Sequence, residues 1–574
     1  MAGRATLISS VLASIPNFYM QVMWLPSSVH KEIDRVSKNF LWGSTDSQRK
    51  IHSIGWETVC LPKNQGGLGF RSAKNANIVA MSKLNWRLHT EKDKSWREVL
   101  VKKYNINDFS FSPSSSASPV IKCISKGINL FKSGVKYIPR NGQSISFWFD
   151  HWVGAAPLSS ILFGPFTENA DSILLSDVLS NGAINMDAIG YILPYDLIME
   201  ILAIPLSNLP SMVDGFAWQG KSTGIFSSAS AYRDLVPTSN WLPADWNWIW
   251  NAPTLPKIQL FLWQLAHNRV KTLDFLHHLG IVDDPMCKIC KRQAESIEHI
   301  FRSCPSVISV LNRLSPQFVI DQNDTDFRSW LSHHSQNMSP SPIFNIPWAI
   351  VFCFAIWVIW NQRNLFLYKQ QNFDSQRTYG LIVERAIEFW SSKPLPPSRT
   401  TKPSRLIGWD PLPPNWLKLN TDGSVAGNPK NASCGGLFRD SQGHWVVGFI
   451  HNIGHTIALA AELYAIKDGL NIAVNHHFPS VIVETDCQVA YLLLTGAPNV
   501  FHPYSTLIMD CKALLNMIPQ VQVKNILREA NMVADALAKK GVSTPHGFNI
   551  LYICPPEVDL LCTADYVGVS YPRP

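Results

Sequence analysis

Between residues 415 and 541 the spacing of apolar and polar positions changes repeatedly, and each change predicts an element. Leu417, Leu419 and Thr421 alternate with Lys418, Asn420 and Asp422, the pattern of a half-buried strand within WLKLNTDGSV. CGGLFRD and HWVVGFIHNIG read as two more strands joined by the tight turn SQG. TIALAAELYAIKDGLNIAVNHHF has the helical period of an amphipathic helix, and SVIVETDC returns to a strand. VAYLLLTG and YSTLIMDCKALLNMI read as helices, VQVKNILRE as a strand, and NMVADALAKKG as a last helix with Asn531 as N-cap and Gly541 as its stop. The order β-β-β-α-β-α-α-β-α predicts a mixed sheet with helices packed on it. Outside this region the most apolar run is Ile346 to Trp360, 15 residues with a proline near its start. It is short for a bilayer and predicts a buried helix, so no membrane partner is expected.

Punctuation by proline and serine divides the rest. FSPSSSAS, 111–118, reads as a loop, and residues 320–345 as a weak boundary. PLPPSRTTKPSRLIGWDPLPP, 394–414, has seven prolines and predicts a stiff, extended linker. A chain of 574 residues is too long for one core, and 46% hydrophobic content excludes a disordered chain. The charge of +8 is uneven: residues 1–150 hold 21 Lys and Arg against 9 Asp and Glu. That excess suits a polyanion partner or an ordinary solvated surface. Eleven scattered cysteines are no disulfide framework and point to a reducing, intracellular compartment, nuclear or cytoplasmic. The N-terminal stretch, broken by serines, makes a poor signal peptide.

One cysteine cluster stands out. Cys287, Cys290, His299 and Cys304 read C-x2-C-x8-H-x4-C. Three sulfurs and an imidazole suit one tetrahedral Zn2+ with no open position, a structural site that performs no chemistry.

The C-terminal region carries the acids. Asp422 ends the first strand, Glu462 lies on the apolar face of the long helix, Asp486 closes the strand VIVET, and Asp535 lies one turn into the last helix. A glutamate on an apolar face is costly unless it is paired or binds a metal. Four gathered carboxylates would repel each other, and hard divalent Mg2+ would relieve that. Taken singly, Asp486 could cap a helix, Glu462 could sit at the edge of its face, and Asp422 and Asp535 could be surface charges.

NTDGSVAGNP, the AAEL of ALAAELYAI, the VETD of IVETDC and REANMVADALA, in that order, resemble a type 1 ribonuclease H domain over 415–541. The resemblance implies a ribonuclease H-like mixed β-sheet with flanking helices. It implies that Asp422, Glu462, Asp486 and Asp535 form a catalytic quartet holding two Mg2+, and that the substrate is the RNA strand of an RNA–DNA hybrid. Gly423, Ser424, Asn428 in the loop AGNPKN, and Asn531 would be substrate-binding, small residues permitting close backbone approach. Many relatives carry a histidine ten residues before the last aspartate; here that residue is Asn525, which cannot shuttle a proton, so slower turnover is expected. The domain is also charge-balanced, 9 Lys and Arg against 9 Asp and Glu, which predicts weak affinity of its own for hybrid.

GRATLISSVLASIPNFYMQVMWLPSSVHKEIDRVSKNFLWG, KNQGGLGFRS, ISFWFDHWVG and WQGKSTGIFSSASAY resemble the C-terminal half of plant non-LTR (LINE-type) retrotransposon reverse transcriptases. This implies a multidomain α/β chain. A helical thumb-like remnant, 1–110, is followed by a connecting region, 111–215, and a mainly helical zinc-binding reverse-transcriptase domain, 216–310. A helical segment, 311–393, precedes the linker, the ribonuclease H domain and a tail, 542–574, to which no role is given. A paired-aspartate turn of the YADD type occurs nowhere in this sequence, so DNA synthesis is not expected. Two other readings stay open: a nucleic-acid-binding retroelement relic with little or no catalysis, and a zinc-stabilised protein-interaction module.

Overall fold

A computed structural model describes every residue except 107–108, 110, 162–165, 167–168, 181–182, 208, 210–211, 237–244, 316–325, 393–404, 429 and 574. Most of the expected proline-rich linker and part of the 320–345 boundary lie outside the described residues. The chain divides into two compact units, each made of two separated stretches. Residues 1–131 and 232–398 form the first, and residues 132–231 and 399–574 the second.

The first unit is helical among its described residues, apart from isolated bridges. The apolar run at 346–360 becomes the helix Trp348–Lys369, longer than the run itself. Its length and composition would let it cross a membrane. Yet Val351, Phe352, Ala355, Ile356 and Ile359 are buried in the unit's core, against Phe261, Trp263, Phe301 and Trp330. One polar pair lies inside that core. Arg363, from the same helix, donates to Glu295, whose Oε1 also accepts the Leu273 N–H at 2.8 Å. Removing one member of such a pair strands a buried charge. Arg363→Met is therefore expected to lower unfolding free energy by about 3–5 kcal/mol, most of it recovered in Arg363→Met/Glu295→Leu, as read by denaturant titration.

In the second unit, residues 132–231 contribute the antiparallel strand pair Val135–Ile138 and Gly215–Trp218 and a core built on Phe147, Trp148, Trp152 and Ile201. The expected C-terminal elements form in the expected order. They are β1 (Leu417–Ala426), β2 (Asn431–Arg439), β3 (Trp445–His455), α1 (Ala458–Asn475), β4 (Ser480–Thr485), α2 (Gln488–Thr495), α3 (Ser505–Met517), β5 (Gln520–Asn525) and α4 (Met532–Gly541). A further strand, β6 (Gly547–Leu551), and helix α5 (Pro556–Tyr566) come from the tail. The sheet has six strands in the order β5-β4-β1-β2-β3-β6; β4 is parallel to both neighbours, and the other pairs are antiparallel.

Three features differ from the sequence reading. β1 is not half-buried. It is a central strand covered on both faces, so Lys418, Asn420 and Asp422 are buried along with Leu419. The buried polar groups therefore need partners. Lys418 pairs with Glu484 at 2.9 Å, Asn420 donates to Glu484 and accepts from Arg439, and Arg439 pairs with Asp565 of α5 at 2.6 Å. Second, the tail completes the sheet and supplies one end of that network. Third, part of the proline-rich stretch is strand: Arg405–Gly408 pairs antiparallel with Ser570–Arg573, and Trp409 is buried beside Lys418 and Arg439.

Candidate functional site

β1 is central because it hydrogen-bonds to β2 on one side and β4 on the other. The chain leaves β4 at Thr485, directly opposite Thr421, so Asp486, just past the end of β4, lies beside Asp422, which stands midway along β1 and not at its end as expected. α1 crosses β1 and delivers Glu462. One carboxylate oxygen from each of Asp422, Glu462 and Asp486 falls within 4.8 Å of the others. Asp422 and Glu462 are buried.

Two like-charged groups in one dry pocket cannot both ionise readily. Burial, then the charge of Asp486, pushes Asp422 up to about 8. Burial, then the charges of Asp422 and Asp486, pushes Glu462 up to about 9. Glu462 Oε2 is buried and has no hydrogen-bond partner. An oxygen-only donor set with an unpartnered buried carboxylate oxygen fits a hard divalent cation such as Mg2+.

Asp535 is placed differently. It is not among the three gathered acids; its carboxylate is held by Arg528 at 2.9 Å and Lys539 at 2.6 Å. Burial would raise its pKa, but those two hydrogen bonds outweigh it and hold the carboxyl low. Its charge still reaches Asp422. The role of Arg528 was not read from the sequence, although it stands in the quoted stretch REANMVADALA; it lies in the turn Arg528–Ala530 before α4 and reaches Asp535 from outside that helix, so no local spacing signals the pair.

The residues expected to bind substrate divide. Ser424 is half-buried on β1, and Asn428 is exposed in the turn after it; Pro429 of that loop lies outside the described residues. Asn531 takes the expected N-cap position of α4, but it is buried, which is at odds with a substrate-binding role. Its amide donates to Thr421 O at 2.9 Å, its side-chain oxygen faces Asn420, and it gives no side-chain cap. It ties α4 to β1 and presents nothing outward. Gly423 is small for a reason inside the fold: a Cβ there would lie 2.5 Å from the backbone N of Glu462. Gly423→Ala is expected to cost about 1–3 kcal/mol in thermal unfolding and to displace Glu462. Asn525 ends β5, with its amide donating to Thr485 O at 3.0 Å, beside Asp486.

The cysteine cluster also assembles. Cys287, Cys290, His299 and Cys304 offer ligand atoms within 4.8 Å of one another. A hydrogen bond from Cys304 holds the Cys287 thiol at about 4 and drives the Cys304 thiol up. His299 Nδ1 lies 3.2 Å from Gln293 Oε1, which fixes the ring and leaves Nε2, 3.2 Å from Cys290 Sγ, as the ligand atom. Three sulfurs and one oriented imidazole fit Zn2+.

The family described as "Reverse transcriptase-like" matches residues 420–541, and the one described as "zinc-binding in reverse transcriptase" matches residues 226–310. Across its whole length the chain is 33% identical to the Arabidopsis thaliana "Putative ribonuclease H protein At1g65750", covering 94% of that protein. The chain belongs to this ribonuclease H protein family. An Arabidopsis thaliana "Uncharacterized mitochondrial protein AtMg00310" is 24% identical over 24% of the chain and 93% of its own length. Among solved structures, RNase H1 from Halobacterium salinarum NRC-1 is 24% identical, covering 22% of this chain and 97% of that one, with a TM-score of 0.21.

Proposed function

We propose that this family member is a Mg2+-dependent endonuclease that cuts the RNA strand of RNA–DNA hybrids, and that it derives from a plant LINE-type retrotransposon. The observation that carries the proposal is the trio Asp422, Glu462 and Asp486, brought within 4.8 Å by three separate elements, with one buried oxygen unpartnered. Asp535 would complete the quartet once released from Arg528 and Lys539. Two Mg2+ bound there would activate a water and stabilise the departing 3′ oxygen, leaving a 5′ phosphate and a 3′ hydroxyl. The chain's own part is to fix the acids. β1 and β4 set the Asp422–Asp486 spacing, Gly423 lets α1 approach, and Asn531 pins α4. Gly423, Ser424 and the turn at Asn428 would lie along the hybrid, where contacts to 2′-hydroxyls distinguish RNA. The reading assigns no DNA synthesis to these residues. It gives the cysteine cluster one structural Zn2+.

A second reading, a relic that binds nucleic acid with little catalysis, is favoured by Asn525 alone. Its amide is committed to Thr485 O and cannot carry a proton. The test is the full chain with a labelled hybrid, Mg2+ and single-stranded controls. The primary reading expects cleavage of the hybrid's RNA strand only. Salt-dependent binding without cleavage, even with Mn2+, would establish the relic instead.

A further inference from the structure

Cys434 and His451 are direct cross-strand partners on β2 and β3, so their side chains share one face of the sheet. α1 packs over that face and brings Asp468 down onto the pair. His451 Nδ1 lies 2.6 Å from Asp468 Oδ2, and Cys434 Sγ lies 3.6 Å from the same oxygen. All three ligand atoms fall within 4.8 Å of one another, the same span that gathers the cysteine cluster of the other unit.

We propose that Cys434, His451 and Asp468 form a second zinc site, separate from both the carboxylate trio and the cysteine cluster. Zn2+ bonds sulfur at about 2.3 Å and imidazole nitrogen or carboxylate oxygen at about 2.0–2.2 Å, which sets neighbouring tetrahedral ligand atoms roughly 3.3–3.7 Å apart. The sulfur–oxygen pair at 3.6 Å already has that spacing, and the nitrogen–oxygen pair at 2.6 Å would open by about 0.7 Å to admit the ion. Thiolate and imidazole are poor ligands for Mg2+, so the site selects a softer ion than the carboxylates do. Cys434 is fully buried, while the side chains of His451 and Asp468 keep 18% and 12% of their exposure. The thiol thus sits at the closed end and solvent reaches the other two, leaving a fourth position for water. Rings of Tyr464 and Phe548 flank His451, with centroids at 5.8 and 5.7 Å, and limit water around the ion. The site lies next to the proposed active site. Cys434 faces Gly423 across β1 and β2, one residue from Asp422, and α1 carries both Glu462 and Asp468. Zinc here would clamp β2, β3 and α1 together beneath the carboxylates.

The test is the zinc content of the full chain, produced with zinc and dialysed against excess Mg2+ to occupy the carboxylates. The expected result is two zinc ions per chain. One is lost in Cys287→Ser, and the other in Cys434→Ser and in His451→Gln. His451→Gln changes the solvent-side ligand and leaves the buried thiol in place, so it gives the same count if Cys434→Ser does not fold. A zinc content unchanged by both Cys434→Ser and His451→Gln overturns the proposal, whether the wild-type chain holds one ion or two. Failure of the cysteine cluster to bind would show separately, as no change in Cys287→Ser.

Discussion

Asp422→Asn is expected to abolish cleavage and, in the absence of metal, to stabilise the protein. If Asp422 is the shared ligand of the proposed ions, its loss removes several kcal/mol of transition-state stabilisation, so RNA-strand cutting should fall by about a thousandfold or more. The stability effect has the opposite sign. Burial first, and the charge of Asp486 next, lift Asp422 to about 8, and Glu462 is lifted to about 9. Both values lie above those of the unfolded chain, so the folded, metal-free protein binds protons that the unfolded chain has lost. The stability these two carboxyls contribute in EDTA is therefore fully present below about pH 4, the unfolded-chain value, and is lost as pH rises through about 8 and 9. An amide at 422 enters the buried site neutral without taking up a proton. At pH 7 the metal-free variant should unfold about 1–3 kcal/mol higher than the wild type, with a shallower pH slope. Mg2+ should stabilise the wild type strongly and the variant little. Denaturant titrations at several pH values, with EDTA or Mg2+, check each point. A metal-free variant no more stable than the wild type would mean that the three acids do not repel one another as the geometry requires.

The elements around this site were legible because each is announced locally. Alternation at Leu417, Leu419 and Thr421 marks β1, and helical spacing through Leu459, Leu463 and Ile466 marks α1. The acids could be named because they stand at the ends or on the faces of those elements. What was not legible depends on partners far away in the chain. Lys418 and Asn420 look like the wet side of a strand until β4, the tail and Trp409 cover them. Arg405–Gly408 hides among prolines because its partner is Ser570–Arg573. β6 is short, and α5 is buried mainly at Val558 and at Asp565, which neutralises Arg439. A fragment ending near 545 would lose both, unpairing one edge of the sheet and leaving Arg439 without its carboxylate. Residues 132–231 gave no sign of joining the C-terminal unit. They are tied there by Tyr464 donating to Ala203 O, Thr506 to Pro139 O, and Ser207 to Asp510. Asn531 was legible as the N-cap of α4, but the partner of its side chain was not, because that side chain reaches back to Thr421 across 110 residues.

The second large effect is expected at the cysteine cluster, and it should be structural. Cys287 and Cys304 belong to the hydrophobic core of the first unit, together with Ile297, Ile300 and Phe301. Phe301 in turn packs on Phe261 and Trp360. Zinc bound there would make four bonds that fix where His299–Ser303 turns into the helix Pro305–Leu314. In isolated zinc-finger peptides the metal contributes on the order of 10 kcal/mol and decides whether they fold at all. This unit has a large apolar core besides the metal, so only part of its order depends on zinc. Cys287→Ser should therefore lower unfolding free energy by about 3–5 kcal/mol rather than unfold the chain. Amide exchange should rise first in residues 285–314, while β1 to β5 stay protected. Equal midpoints for Cys287→Ser and the wild type would show that the cluster is an ordinary buried set of thiols. Faster exchange throughout the C-terminal sheet would show that zinc at this cluster acts beyond the first unit.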